Sequence, residues 1–249
     1  MPLIKELRSS IKQRRPSIGT WMQIPSPEVA EILSTKKSYD WIVIDMEHGT
    51  FGKSDITSIV RAISMNSVLP FVRLQTNKVQ AAKDVVDCGF KGYIVPMVEN
   101  IKQLKEIRNA ILYPPEGKRG VGFSRSNQYG INFNNAIKDK EIPFLVAMIE
   151  TIEGLKNIEN ILNYEYLDAI LVGPYDLSAS LGVCGEFESK TFKDAYETIK
   201  KLCIEKDVAF GVHIVHPSNE KLKETINDGS RFIAFSIDSV MLYSFEPSL

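Results

Sequence analysis

Eight short apolar runs recur along the chain, each followed by an amphipathic stretch, and this rhythm constrains the fold more than any other feature. The runs cover 17–23, 41–44, 69–72, 92–96, 143–149, 169–172, 209–214 and 232–235. They are rich in Ile, Val and Phe, and too short for helices. The segments between them carry helix signals. Ser26-Pro27-Glu28 offers an N-cap, a proline at the first helical position and an acid in the first turn. Val79, Ala82, Val85 and Val86 follow helical spacing, and Gly89 then stops that helix. Thr151 caps a helix whose apolar stripe includes Leu155, Ile158 and Ile161. The alternation predicts an α/β fold, a single (β/α)8 barrel over residues 1–249 with parallel strands inside and helices outside. A doubly wound open sheet shares the alternation but needs a Gly-rich turn after its first strand. Met22-Gln23-Ile24-Pro25-Ser26 stands there instead.

Composition narrows the function. At 249 residues and 44% apolar content the chain is long enough for one barrel with a full core. The net charge is −1, with no basic block, which argues against nucleic acid. Cys88, Cys184 and Cys203 are scattered, without metal-ligand spacing, and read as reduced thiols of a cytoplasmic protein. Residues 1–15 are basic and lack an apolar run, so no signal peptide is expected, and no stretch is long enough to span a bilayer. The longest irregular stretch, 113–135, is rich in Gly and Pro and reads as a functional loop.

In a barrel, chemistry sits where strands end and βα loops begin. The residues there are Trp21 and Gln23, then Asp45-Met46-Glu47-His48-Gly49, Arg73, Glu150, Gly173-Pro174-Tyr175-Asp176, and His213 with His216. No Lys is among them, so a Schiff-base aldolase lacks its nucleophile. The loops after the last two strands lack the glycines that wrap a phosphate, which disfavours a phosphorylated substrate. Glu150 and Asp176 end neighbouring strands, roughly 5 Å apart. Two carboxylates so placed repel unless a cation lies between them, and hard oxygen ligands suit a divalent ion such as Mg²⁺, Mn²⁺ or Co²⁺. A 2-oxo acid chelates such an ion, which then acts as a Lewis acid on the ketone. Arg73 can pin the same oxygens, and His48 is the natural proton carrier. Each residue alone has an ordinary structural reading as a helix cap, an ion-pair partner or a loop histidine. Their convergence on one barrel face is what points to chemistry.

These residues and their neighbours resemble the HpcH/HpaI family of class II, metal-dependent pyruvate aldolases along nearly the whole chain. The resemblance runs through Gly19-Thr20-Trp21, Asp45-Met46-Glu47-His48-Gly49, Arg73 and Gly92-Tyr93-Ile94-Val95-Pro96-Met97-Val98. It continues through Tyr113-Pro114-Pro115-Glu116-Gly117-Lys118-Arg119-Gly120, Met148-Ile149-Glu150-Thr151 and Gly173-Pro174-Tyr175-Asp176-Leu177-Ser178. It implies that Glu150 and Asp176 hold the metal, that His48 is the acid/base, and that Arg73 holds pyruvate and steadies the enolate. It further implies that the Tyr175 N–H, in the Gly173-Pro174 turn, contacts the pyruvate carboxylate. Asp87 matches a carboxylate that pairs with the catalytic His from an adjacent subunit of a homo-oligomer, a hexamer. On the residues alone, Asp87 is an exposed aspartate in the last turn of a helix. There the macrodipole disfavours its charge and suggests a cationic or hydrogen-bonding partner.

The reaction so implied is reversible cleavage of a 4-hydroxy-2-oxo acid to pyruvate and an aldehyde. The same enolate chemistry also permits oxaloacetate decarboxylation. A barrel that only binds a 2-oxo acid is the reading of another class. Two departures bear on specificity. Met148 stands where many relatives carry a substrate-touching Gln, and a thioether cannot donate a hydrogen bond. The stretch from Gly120 to Asn127 is shorter than in relatives, which leaves the aldehyde open. His213 and His216 match nothing essential in the family.

Overall fold

The computed structural model describes residues 4–138 and 141–244. Strands β1 (Ser17–Met22), β2 (Trp41–Asp45), β3 (Leu69–Arg73), β4 (Gly92–Val95), β5 (Phe144–Ile149), β6 (Ala169–Val172), β7 (Ala209–Ile214) and β8 (Phe232–Ile237) form one closed parallel barrel in chain order. They coincide with the eight apolar runs to within a residue or two. Around them, among the described residues, lie α1 (Ile4–Lys12), α2 (Pro27–Ser34), α3 (Lys53–Ser64), α4 (Val79–Val85), α5 (Ile101–Ile111), α6 (Phe133–Lys138), α7 (Ile152–Lys156), α8 (Ile158–Leu162), α9 (Pro174–Ser180), α10 (Lys190–Glu205), α11 (Asn219–Asn227) and α12 (Asp238–Tyr243).

The helix ends follow the local chemistry of the sequence. Ser26 Oγ accepts from the Val29 N–H, 3.1 Å away, with Pro27 in the first turn of α2. Gly89, at φ +86°, takes the left-handed conformation after the short 3₁₀ turn that ends α4. Thr151 caps as expected, its Oγ1 accepting from the Gly154 N–H, but the helix it starts is broken at Asn157 into α7 and α8. The irregular stretch 113–135 is more ordered than its composition suggests. The fully buried Asn127 side chain donates to the Gly122 carbonyl and accepts from the Ser124 and Gly130 N–H groups, folding the segment around itself.

Side chains inside the barrel stack in layers. Trp41 lies on Phe232 with centroids 4.3 Å apart, and Phe71 and Phe144 complete the aromatic floor. Glycines make that floor possible: a Cβ on Gly19 would fall 2.1 Å from the Trp41 ring, and one on Gly92 would fall 2.5 Å from Phe71. Ile4, Leu7 and Ile11 of α1 are buried with this interior cluster, and Arg8 ties the helix to Asp168 by two hydrogen bonds of 2.7 and 2.8 Å. A second apolar layer fills the space between strands and helices. The plugged floor leaves the C-terminal end of the strands as the open face. There the β1–β8 register shifts, because β8 carries an extra residue in the span Ala234–Ile237 opposite Gly19–Trp21. Ser236 in that bulge has φ +63°. No described helix is long and apolar enough to cross a membrane.

Candidate active site

Arg73 ends β3 and faces Asp45 at the end of β2, its registered partner. The two are locked by bonds of 2.8 Å from Nε to Oδ1 and 2.6 Å from Nη2 to Oδ2. Arg73 Nη1 reaches Glu47 Oε2 at 2.8 Å. One edge of the guanidinium fork is therefore committed within the protein, and one N–H on each of Nη1 and Nη2 remains to be given to a ligand. Asp45 also accepts from Gln23 Nε2 at 2.9 Å and from the Glu47 and His48 N–H groups. Burial alone would raise its pKa, but the Arg73 hydrogen bond and charge, with Gln23 and the backbone, outweigh it and hold the carboxyl below its ordinary value. Asp45 thus orients both the arginine and the turn that carries His48.

Glu150 follows β5 and is 2% exposed. Its Oε1 accepts from the Met97 N–H at 2.6 Å. Met97 can aim that N–H because its φ is +50°, a left-handed turn after β4 whose carbonyl accepts from Asn77 Nδ2 at 2.7 Å. The other oxygen, Oε2, is buried with no partner. It lies against Gly173, where a Cβ would sit 2.3 Å from it. Gly173 caps α9, and Pro174, Tyr175 and Asp176 form its first turn. Burial, with the nearby charges of Glu47 and Asp176, pushes the Glu150 pKa up to about 7 against the pull of the Met97 N–H and Arg73. Burial likewise raises Glu47, with Asp45 and Asp176 adding to it and Arg73 and His48 opposing it.

These carboxylates repel one another and one of their oxygens is buried without a donor. A cation relieves both conditions, so the residues present fit a divalent ion. Among the described residues no group of three or more His, Cys, Asp or Glu side chains is arranged as a closed metal cage. A site with few protein ligands leaves room for water and substrate.

A cavity of about 210 Å³ opens here, lined by Trp21, Gln23, His48, Arg73, Met148, Gly173, Pro174, Tyr175, Asp176 and His213 among others. Met148 lies on its floor and is 5% exposed. Other cavities, of about 180 and 270 Å³, lie toward the starts of the strands and contain none of these strand-end residues. His48 and Asp176 are exposed, and Tyr175 stands at the rim, packed edge-on against Phe187.

The structure brings together every residue expected at the site but one. Asp87 lies between α4 and β4, toward the opposite end of the strands, where its Oδ1 accepts from Arg119 Nη2 at 2.7 Å. Asp87 is 66% exposed even so, an exposed aspartate as the residues alone suggest. Asp45 and Glu47 stand among the strand-end residues of the sequence without a role of their own, and nothing there points to the Met97 backbone. The Asp-x-Glu-His spacing after β2 was the available signal for the first two; nothing local marks the third. His213 was noted only as a strand-end residue. Its ring stacks on Trp21 at 4.9 Å, and Trp21 in turn lies 5.5 Å from the Arg73 guanidinium.

A parallel barrel whose open face gathers buried carboxylates, a clamped arginine and an exposed imidazole has the parts of an enzyme's active site. The chain belongs to the HpcH/HpaI aldolase/citrate lyase family, whose profile matches residues 17–244. It is 32% identical over 238 residues to a 4-hydroxy-2-oxo-heptane-1,7-dioate aldolase of Escherichia coli, covering 94% of this chain and 89% of that one. It is 29% identical over 249 residues to a hydroxypyruvate/pyruvate aldolase of Roseobacter denitrificans, covering 99% and 96% respectively. A crystal structure of a family protein from Burkholderia cenocepacia superposes with a TM-score of 0.88 at 26% identity, covering 96% of this chain and 95% of that one. The protein is accordingly a carbon–carbon lyase of the aldolase type.

Proposed function

We propose that the barrel cleaves and forms the C3–C4 bond of a 4-hydroxy-2-oxo acid, giving pyruvate and an aldehyde. The observation that carries this reading is the partnerless, buried Oε2 of Glu150 beside Gly173, repelled by Asp176 and Glu47. Glu150 and Asp176 hold a divalent ion, Mg²⁺, Mn²⁺ or Co²⁺. When bound, that ion supplies charge stabilisation for the oxygen of the enolate.

The protein's own groups do the rest. The remaining N–H groups of Arg73 and the Tyr175 N–H hold the 2-oxo acid end. His48 takes the proton of the C4 hydroxyl. The C3–C4 electron pair passes into the enolate of pyruvate as the C4–O bond becomes the aldehyde carbonyl. The enolate is then protonated at C3, which closes the balance. Met148 offers a thioether floor without a donor. Asp87 of a second copy steadies the protonated His48 in a homo-oligomer, a hexamer in the family's manner. Cys88, Cys184 and Cys203 are free thiols, in keeping with a cytoplasmic setting.

Exchange of the pyruvate methyl protons in deuterated water tests enolate formation without any aldehyde. Exchange that requires a divalent ion is expected, together with retro-aldol turnover. Absence of exchange with all three ions leaves a barrel that binds a 2-oxo acid without catalysis.

A further inference from the structure

The wall of the cavity made by β7, β8 and β1 has no role in the steps above, and it contains a histidine. Trp21, His213, Val215 and Ile237 line it. The 2-oxo acid end of the substrate is assigned to the side built by β3, β5 and β6, where Arg73, Glu150 and Asp176 lie. His48 holds the C4 hydroxyl, so whatever substituent C4 carries extends toward the remaining wall. That wall therefore belongs to the aldehyde half, and the assignment rests on the aldolase reading.

His213 is built into it firmly. Its ring stacks on Trp21 with an interplanar angle of 26°. Its Nε2 lies 3.3 Å from the Ser236 carbonyl, in the bulge of β8. A carbonyl oxygen only accepts, so Nε2 carries the ring proton and Nδ1 presents a lone pair. Among the described residues Nδ1 has no hydrogen-bond partner, and it is not one of the nitrogens sealed from solvent. The ring that carries it lines the cavity.

The ring is uncharged at neutral pH. Enclosure pushes its pKa down to about 4, Arg73 adds to that shift, and the Ser236 bond opposes it. A lone pair there accepts from a hydroxyl and repels a carboxylate. Among the described residues lining this cavity, Arg73 is the one permanent cation, and Asp45 and Glu47 already engage it. A second carboxylate on the substrate therefore meets no counter-charge on this wall. A heptane-1,7-dioate cut between C3 and C4 releases an aldehyde that ends in a carboxylate, so this wall suits a different substrate from the one in the name of the Escherichia coli relative.

We propose that His213 is a specificity-determining residue whose neutral imidazole accepts a hydrogen bond from a hydroxyl on the aldehyde half, so that the protein takes small, uncharged hydroxyaldehydes. The two-carbon pair glycolaldehyde and acetaldehyde isolates the effect, because the two differ by a single hydroxyl. The test compares kcat/KM for addition of pyruvate to each in the metal-loaded, full-length protein. Succinic semialdehyde serves as the carboxylate-bearing control.

The expected preference for glycolaldehyde over acetaldehyde is about 10-fold or more, the usual worth of a hydrogen bond in an enclosed site. His213→Leu is expected to bring the ratio close to one while acetaldehyde turnover stays within a few-fold. His213→Asn, which keeps a neutral acceptor near the place of Nδ1, is expected to retain much of the preference. A role limited to packing against Trp21 would lower both rates and leave their ratio alone. An unchanged ratio in His213→Leu, or a wild-type preference for the semialdehyde, overturns the proposal. Loss of turnover with every aldehyde, together with absent pyruvate proton exchange, instead overturns the aldolase reading beneath it.

Discussion

The carboxyl of Glu150 holds its proton near neutrality because burial comes first and its acidic neighbours add to it. With a pKa near 7 against an ordinary 4.5, the folded metal-free protein binds more protons than the unfolded chain between those values. Its stability therefore falls as pH rises through that window, by an amount on the order of 3 kcal/mol. Urea unfolding of metal-free protein at pH 5 and pH 8 is expected to show this loss, and Glu150→Gln is expected to flatten it. The same proton must leave when a cation binds. Calorimetry in buffers of different ionisation enthalpy is expected to find proton release at pH 6 and little at pH 8, with affinity greatly weakened in Glu150→Gln. Affinity equal to wild type in that variant removes Glu150 from the metal site. For His48→Ala, a fall in retro-aldol turnover of about 100-fold or more is expected, within the usual worth of general acid–base catalysis. Unaltered turnover places the proton carrier elsewhere.

At the scale of elements, the site depends on how closely two strand ends approach. Gly173 starts α9 with no side chain in the space that Glu150 Oε2 occupies. Gly173→Ala puts a methyl 2.3 Å from that oxygen, so the carboxylate must turn away. Metal affinity is expected to drop about 10- to 100-fold, as for other residues that orient a ligand, while circular dichroism stays near wild type. An undiminished affinity means that Glu150 reaches the ion from another direction. Inside the barrel the same logic acts on stability. Gly19→Ala drives a methyl into the Trp41 ring at 2.1 Å, and a loss of about 1–3 kcal/mol is expected by chemical denaturation.

At the scale of the whole molecule, a single chain leaves its Asp87 at the far end of the strands from His48 and paired with Arg119. If a second copy brings Asp87 to His48, mixing two impaired variants restores function. His48→Ala protomers supply an intact Asp87, and Asp87→Asn protomers supply an intact His48. Co-refolded mixtures are expected to recover a fraction of wild-type turnover that neither variant shows alone. No recovery, in a mixture whose mass confirms mixed oligomers, confines each site to one chain.

Much of the fold was legible because its signals are local. Alternation of apolar runs with capped helical segments depends on neighbours within a few residues, so the eight strands and the stop at Gly89 can be read from the residues. The strand-end rule then located Arg73, Glu150, His48 and Asp176, since a barrel has one face where loops follow strands. What the arginine grips, which carboxylate oxygen stays bare and where His213 points were not legible. They depend on register between strands far apart in sequence: Asp45 against Arg73, Gly173 against Glu150, and a bulge at Ser236 that turns β8 beneath His213. Ring closure sets those registers by packing the whole core at once. The sequence therefore determined the barrel and the inventory of its open face. Only the tertiary structure decided which of those groups meet, because contact between side chains is a property of the closed ring and not of any one segment.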